Sequence, residues 1–167
     1  PVVCMGYLNP ILRYGEAEFI KAFHTAGGDG LIIADLPFEE GEDYEKMCQN
    51  NDVSLIYLLA PEIGSQRTKR ILASSSGFVY CVSHYGTTGE GTTVDFNLGE
   101  ITTSLKQQTN LPLAVGFGIS SLDSAKSACK DADGIIIGSW LIKELENAVN
   151  KPQKAGEFVK SVKSVIS

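Results

Sequence analysis

Val115-Gly-Phe-Gly-Ile-Ser120, echoed by Ile137-Gly-Ser139, decides how this chain is read. Each is the end of an apolar run that stops at glycine and passes into a helix opened by serine. A turn that sheds its side chains exposes backbone N–H groups, and such groups at a helix start bind phosphate. One glycine at a strand end reads as a tight turn or a close packing contact. Two such turns in succession, closing a strand–helix series, match the phosphate site of a (β/α)8 barrel. Gly116, Phe117, Gly118, Gly138 and Ser139 are therefore the candidate anion cradle. Ser120 with Asp123 also resembles a capping box, which is compatible with phosphate at the same helix start.

Outward from these turns, strand and helix alternate along the whole chain. Strands are expected at Val2–Tyr7, Leu31–Leu36, Ser54–Ala60, Phe78–Ser83, Leu113–Gly118 and Ile135–Ile137. Helices are expected at Gly15–Ala26, Glu39–Gln49, Ser65–Ala73, Leu98–Gln108 and Ser121–Lys130, with a short one from Trp140 and a closing one near Gln153–Val165. The apolar runs are continuous (Leu-Ile-Ile-Ala, Ile-Ile-Ile), as in parallel strands covered by helices on both faces. The α/β class follows, as one domain over residues 1–167 with six βα units: a partial TIM barrel. A barrel has eight strands and about 250 residues, so roughly two units are expected upstream of Pro1. An open barrel would carry exposed strand edges, an aggregation liability. A doubly wound open sheet is the competing architecture, but it accounts less naturally for glycine turns on neighbouring final strands.

Hydrophobic residues make up 43% and charged residues 20%, the profile of a folded globular domain. The net charge of -6, with no basic stripe, argues against nucleic acid as partner. No apolar run approaches the ~20 residues of a membrane span, and no signal peptide is visible. Cys4, Cys48, Cys81 and Cys129 form no CxxC pair and read as reduced thiols in a cytosol-like compartment. His24 and His84 lie too far apart to suggest a metal, and no cofactor is expected on this chain.

Three further places carry candidate chemistry. The glycine- and threonine-rich loop Ser83-His-Tyr-Gly-Thr-Thr-Gly89 has the length and composition of a mobile active-site cover, or of a plain surface loop. Asp35 ends the strand Leu-Ile-Ile-Ala-Asp-Leu-Pro. It reads equally as a carboxylate at the barrel mouth or as a cap for the turn beside Pro37. Tyr7 and Tyr80 fall on strands and read as core aromatics or as phenols in need of a partner. His84, without a visible partner, reads as a loop residue rather than a base.

At these residues the chain resembles the α subunit of tryptophan synthase. The matching stretches are Met5-Gly-Tyr-Leu-Asn-Pro10, Gly30-Leu-Ile-Ile-Ala-Asp-Leu-Pro37, Ser76-Gly-Phe-Val-Tyr80, Gly86-Thr-Thr-Gly89, Leu111-Pro-Leu-Ala-Val-Gly-Phe-Gly-Ile-Ser120 and Ala132-Asp-Gly-Ile-Ile-Ile-Gly-Ser139. They run in family order over nearly the whole chain, as the third through eighth units of that (β/α)8 barrel. The resemblance implies a lyase: retro-aldol cleavage of indole-3-glycerol phosphate to indole and glyceraldehyde 3-phosphate in tryptophan biosynthesis. It implies phosphate contacts at Gly89, Gly118, Gly138 and Ser139, and an indole pocket lined by Tyr7 and Ile136. It places Tyr80 beside the catalytic acid and Thr88 where it positions the catalytic aspartate. It puts Asp35, Asn9 and Pro10 near the face that meets the β subunit, which carries pyridoxal phosphate. The implied compartment is the cytoplasm, or the plastid stroma in a plant. The family's catalytic glutamate and aspartate precede the matched region, so no residue here inherits those roles and the chain alone is expected to be inactive. A non-catalytic phosphate-binding or regulatory fragment is the alternative. The loop departs from the family pattern at Tyr85, Thr87 and Glu90-Gly91, which bears on its closure.

Overall fold

The computed structural model of the chain describes residues 1–60, 65–82, 98–116 and 118–166. Val3–Gly6 (β1) leads into Leu8–Tyr14 (α1) and Glu16–Thr25 (α2). Gly30–Ile33 (β2) is followed by a 3-10 turn, Phe38–Glu40, and by Glu42–Gln49 (α3). Ser54–Leu55 (β3) and Leu58–Leu59 (β4) precede Gln66–Ser74 (α4). Then come Val79–Cys81 (β5), Leu98–Lys106 (α5), Leu113–Val115 (β6), Leu122–Ala128 (α6), Gly134–Ile135 (β7), Ser139–Glu146 (α7) and Lys151–Ile166 (α8).

Every strand pairing is parallel, and neighbours follow chain order: β1-β2-β3 in one sheet, β4-β5-β6-β7 in the other. β3 and β4 are two halves of one run that hands the sheet on. The Ile56 N–H donates to the Leu31 carbonyl at 2.9 Å, and the Leu59 carbonyl accepts from the Val82 N–H at 3.0 Å. Among the described strands the order does not reverse, so they show no switch point of the doubly wound kind, and the arrangement is that of a partial (β/α) barrel.

Period-two alternation gives the sheet two distinct faces. Leu31, Ile33, Leu55, Tyr57, Leu59, Val79, Cys81, Leu113 and Val115 point outward into the main core, which helices supply with Ile20, Cys48, Ile71, Leu72, Ile101 and Leu105. A smaller cluster joins Ile135, Ile137 and Trp140 to Phe158 and Val162 of α8, with the two rings edge-on at 4.7 Å. The opposite, inner face carries Val3, Met5, Ile32, Ile56, Tyr80 and Ala114. Ile32 and Ile56 are buried there, whereas Val3 and Met5 on β1 are 40% and 55% exposed. Among the described residues β1 and β7 each have one strand neighbour, and no helix is long and apolar enough to cross a membrane.

The expected elements form with local differences. α1 falls between the expected strand Val2–Tyr7 and the expected helix Gly15–Ala26, where no helix was expected. Pro10 is the third helical residue, where a missing N–H costs no intrahelical bond. The acidic helix expected from Glu39 is a 3-10 turn and a separate α3. The cap of α6 is Ser121 rather than Ser120, and its capping-box partner is Ser124 rather than Asp123. α7 begins at Ser139, one residue ahead of Trp140. β7 ends at Ile135, so Ile136 and Ile137 lie beyond the strand.

Candidate active site at the C-terminal ends of the strands

In parallel sheets, ligand sites collect beyond the carboxyl ends of the strands, where side chains of successive units converge. Tyr80 stands on the inner face of β5, half-buried. Its ring lies across Gly116, just past the end of β6. A Cβ at Gly116 would fall 2.3 Å from the Tyr80 ring carbon Cε2 and 2.4 Å from its hydroxyl oxygen. Gly116 is thus glycine because an aromatic ring occupies the place of its side chain, the packing reading of that residue. Burial pushes the Tyr80 hydroxyl above its ordinary pKa of 10.0, so it stays protonated. Among the described residues no hydrogen bond to it is found, and its oxygen lies beside Gly116 at the end of β6.

The two glycine turns look alike in sequence and differ in structure. After β6, Gly118 takes φ +64, a left-handed conformation that glycine adopts at little cost. The helix that follows caps itself. Ser124 Oγ accepts from the Ser120 and Ser121 N–H groups at 3.1 and 3.0 Å, and Ser121 Oγ accepts from the Ser124 N–H at 3.1 Å. Asp123 adds a negative charge to the first turn of α6, which disfavours an anion there. After β7 the situation is the reverse. Gly138 is the N-cap of α7, contributes no side-chain cap, and has no acidic residue in the turn behind it. The first intrahelical bond runs from the Ile142 N–H to the Gly138 carbonyl at 3.1 Å. The N–H groups of Ser139, Trp140 and Leu141 therefore face outward from an uncapped helix start. Gly138 and Ser139 are exposed, and a Cβ at Gly138 would meet nothing within 4 Å. The open donors and the positive helix end belong to α7.

The remaining candidates fall around this end. Tyr7 continues the inner-face series Val3, Met5, and at 66% exposure is open to ligand. Half-buried Ile136 follows β7, its N–H bonded to the Val115 carbonyl at 2.8 Å. Asn9 and Pro10 are exposed on α1. Of the two readings of Asp35, mouth carboxylate or cap, it acts as a cap, but of a different element from the turn beside Pro37. Its Oδ1 accepts from the Leu8 N–H at 2.6 Å, holding the start of α1 rather than the turn beside Pro37. Thr88, Gly89, Phe117, His84, Tyr85, Thr87 and Glu90 lie outside the described residues.

Sequence reading missed a recurring clamp at the other end of the strands. Asp29 and Asp133 each precede a glycine that opens a strand. Asp29 Oδ2 accepts from the Val2 N–H at 2.6 Å, and Asp133 Oδ2 from the Leu113 N–H at 2.9 Å. The signal was the repeated Asp-Gly at Asp29-Gly30 and Asp133-Gly134. The cysteines are free, and burial pushes the Cys48 thiol up to about 12 and that of Cys81 to about 11, which leaves both as inert core groups. Tyr57 and Tyr44 are spent on Glu45 (2.7 Å) and Glu16 within the helix layer. Among the described residues no group of acidic, His or Cys side chains is placed to hold a metal.

Comparison with known proteins fits this geometry. The tryptophan synthase alpha chain family matches residues 1–165. A tryptophan synthase alpha chain of Halalkalibacterium halodurans is 38% identical over 170 residues, covering 100% of this chain and 64% of its own length. One of Chloroflexus aurantiacus is 43% identical over 156 residues, covering 93% and 59%. The crystal structure of tryptophan synthase subunit alpha from Legionella pneumophila superposes with a TM-score of 0.82 at 33% identity, over 99% of this chain and 62% of that one. A Pyrococcus furiosus structure, described as the tryptophan synthase α2β2 complex, gives 0.80 at 30%, over 99% and 66%. The chain thus spans less than two thirds of the length of these curated relatives. With the match running nearly from end to end, the chain belongs to the tryptophan synthase alpha chain family.

Proposed function

We propose that this chain holds the phosphate-anchoring and aromatic part of a lyase site that cleaves indole-3-glycerol phosphate to indole and glyceraldehyde 3-phosphate. The observation that carries the reading is the uncapped start of α7 at Gly138–Ser139, at the same end of the sheet as the Tyr80 hydroxyl. A phosphate dianion there accepts from the Ser139, Trp140 and Leu141 N–H groups and gains from the helix dipole. The left-handed Gly118 lets the neighbouring backbone approach the same anion. Tyr80, protonated, positions the substrate or the acid beside it by donating a hydrogen bond. Tyr7 and Ile136 form the apolar walls suited to an indole ring. By resemblance, Gly89 adds a phosphate contact and Thr88 positions the catalytic aspartate, with Phe117 the residue between Gly116 and Gly118 in sequence.

Retro-aldol cleavage also needs an acid for the ring carbon and a base for the glycerol hydroxyl. By resemblance these are a glutamate and an aspartate in the part of the relatives that these residues do not span. The 167 residues then bind substrate and product without turning substrate over. Asn9, Pro10 and Asp35 are the proposed contacts with a β subunit, a reading supported by the α2β2 description of the Pyrococcus relative. The cytoplasm is the proposed compartment. The test pairs two measurements on the chain. Glyceraldehyde 3-phosphate should change the emission of Trp140, the sole tryptophan, which sits on the first turn of α7. An indole-release assay should show no turnover above the uncatalysed rate. A silent Trp140 would overturn the binding reading, and turnover near that of a full-length relative would overturn the division of labour.

A further inference from the structure

We propose that Asp35 is a positioning residue for the Tyr7 wall of the site. The inference rests on the functional reading above and extends it to a residue outside the aromatic and phosphate groups. β1 and β2 pair in register from Val3↔Gly30 to Gly6↔Ile33. The ladder continues once more, the Ala34 N–H donating to the Gly6 carbonyl at 2.9 Å. There β1 turns into α1, and no main-chain rung follows. Asp35 supplies the next one with its side chain, Oδ1 taking the Leu8 N–H at 2.6 Å. Tyr7 therefore stands between two fixed points, the carbonyl before it and the amide after it, both tied to the end of β2.

Leu8 packs against the main core, and among the described residues Asp35 makes the side-chain hydrogen bond to the start of α1. Tyr7 is the N-cap of α1 with no side-chain cap hydrogen bond, and the first turn of α1 has no acidic residue. The ring is 66% exposed, so packing does little to orient it. A carboxylate on a helix-start N–H is a charge-assisted bond with the favourable dipole sign, so it sets the angle at which chain and ring leave the strand. Asp29 makes the same kind of bond to the Val2 N–H at the far end of β1, also at 2.6 Å, and serves as an internal control.

The experiment compares Asp35→Ala, Asp35→Asn, Asp29→Ala and Tyr7→Ala in the intact chain, with indole and inorganic phosphate as separate probes followed by NMR. Asp35→Ala should weaken indole binding about fivefold and leave phosphate binding unchanged. Asp35→Asn, which keeps an acceptor, should recover most of the loss. Asp29→Ala should lower thermal stability without changing affinity for either probe. Asp35→Ala added to Tyr7→Ala should cost nothing further for indole. Full additivity with Tyr7→Ala, or equal losses for both probes, would overturn the proposal. Should wild type bind neither probe, the functional reading fails by itself. The positioning claim is then decided by the Leu8 amide and Tyr7 ring signals: lost exchange protection and a shifted ring in Asp35→Ala support it, and unchanged signals overturn it.

Discussion

Gly116 and Tyr80 are one structural unit, and each explains the other. The ring occupies the volume where any other residue would place its Cβ, with 2.3 Å separating that position from the Tyr80 ring. Gly116→Ala must push the ring off its inner-face position, an overpacking that costs typically about 1–3 kcal/mol. Urea unfolding should show that loss in Gly116→Ala and much less of it when Tyr80→Ala is present as well. Additive losses would mean that ring and glycine do not share this space. Glycine before Phe117 was legible in the sequence as a turn. A close packing contact was legible as well, but its partner was not, because the ring comes from the neighbouring strand and no local pattern connects positions that far apart.

At the scale of elements, the continuous apolar runs announced parallel strands and the order of units before any coordinates. The hidden part lay in caps and clamps, which depend on single hydrogen bonds. Ser120 and Ser121 are chemically identical, and only backbone geometry selects Ser121 as the cap of α6. The same bonds separate the two glycine turns: Ser124 closes the α6 start, and α7 has no counterpart. The Asp-Gly clamps have a measurable consequence. Asp133 sits below its ordinary pKa of 3.8, first through the Leu113 N–H and then through Lys106 at 3.0 Å. A carboxyl lowered in the folded state stabilises above its unfolded pKa and loses that contribution as pH falls through the folded value. Urea midpoints should therefore drop more between pH 5 and about pH 3 in wild type than in Asp133→Asn, which has no titrating group at that position. Parallel acid profiles would remove Asp133 from the balance.

Across the whole molecule, strands in chain order bring their carboxyl ends, and hence Tyr7, Tyr80, Gly116, Ile136 and Gly138, to one end, with the Asp29 and Asp133 clamps at the other. Residues spread through 167 positions thus meet by topology rather than by sequence proximity, and family resemblance rather than local pattern was needed to name them together. In the proposed function this end binds a phosphate group through the open start of α7. An amide NMR titration of the chain with inorganic phosphate tests it most directly, in wild type and in Gly138→Asp, which adds a capping carboxylate to α7. Saturable shifts at Ser139, Trp140 and Leu141 in wild type, abolished in Gly138→Asp with the fold intact, are the predicted result. Shifts confined to the α6 start, or equal binding by both proteins, would contradict it.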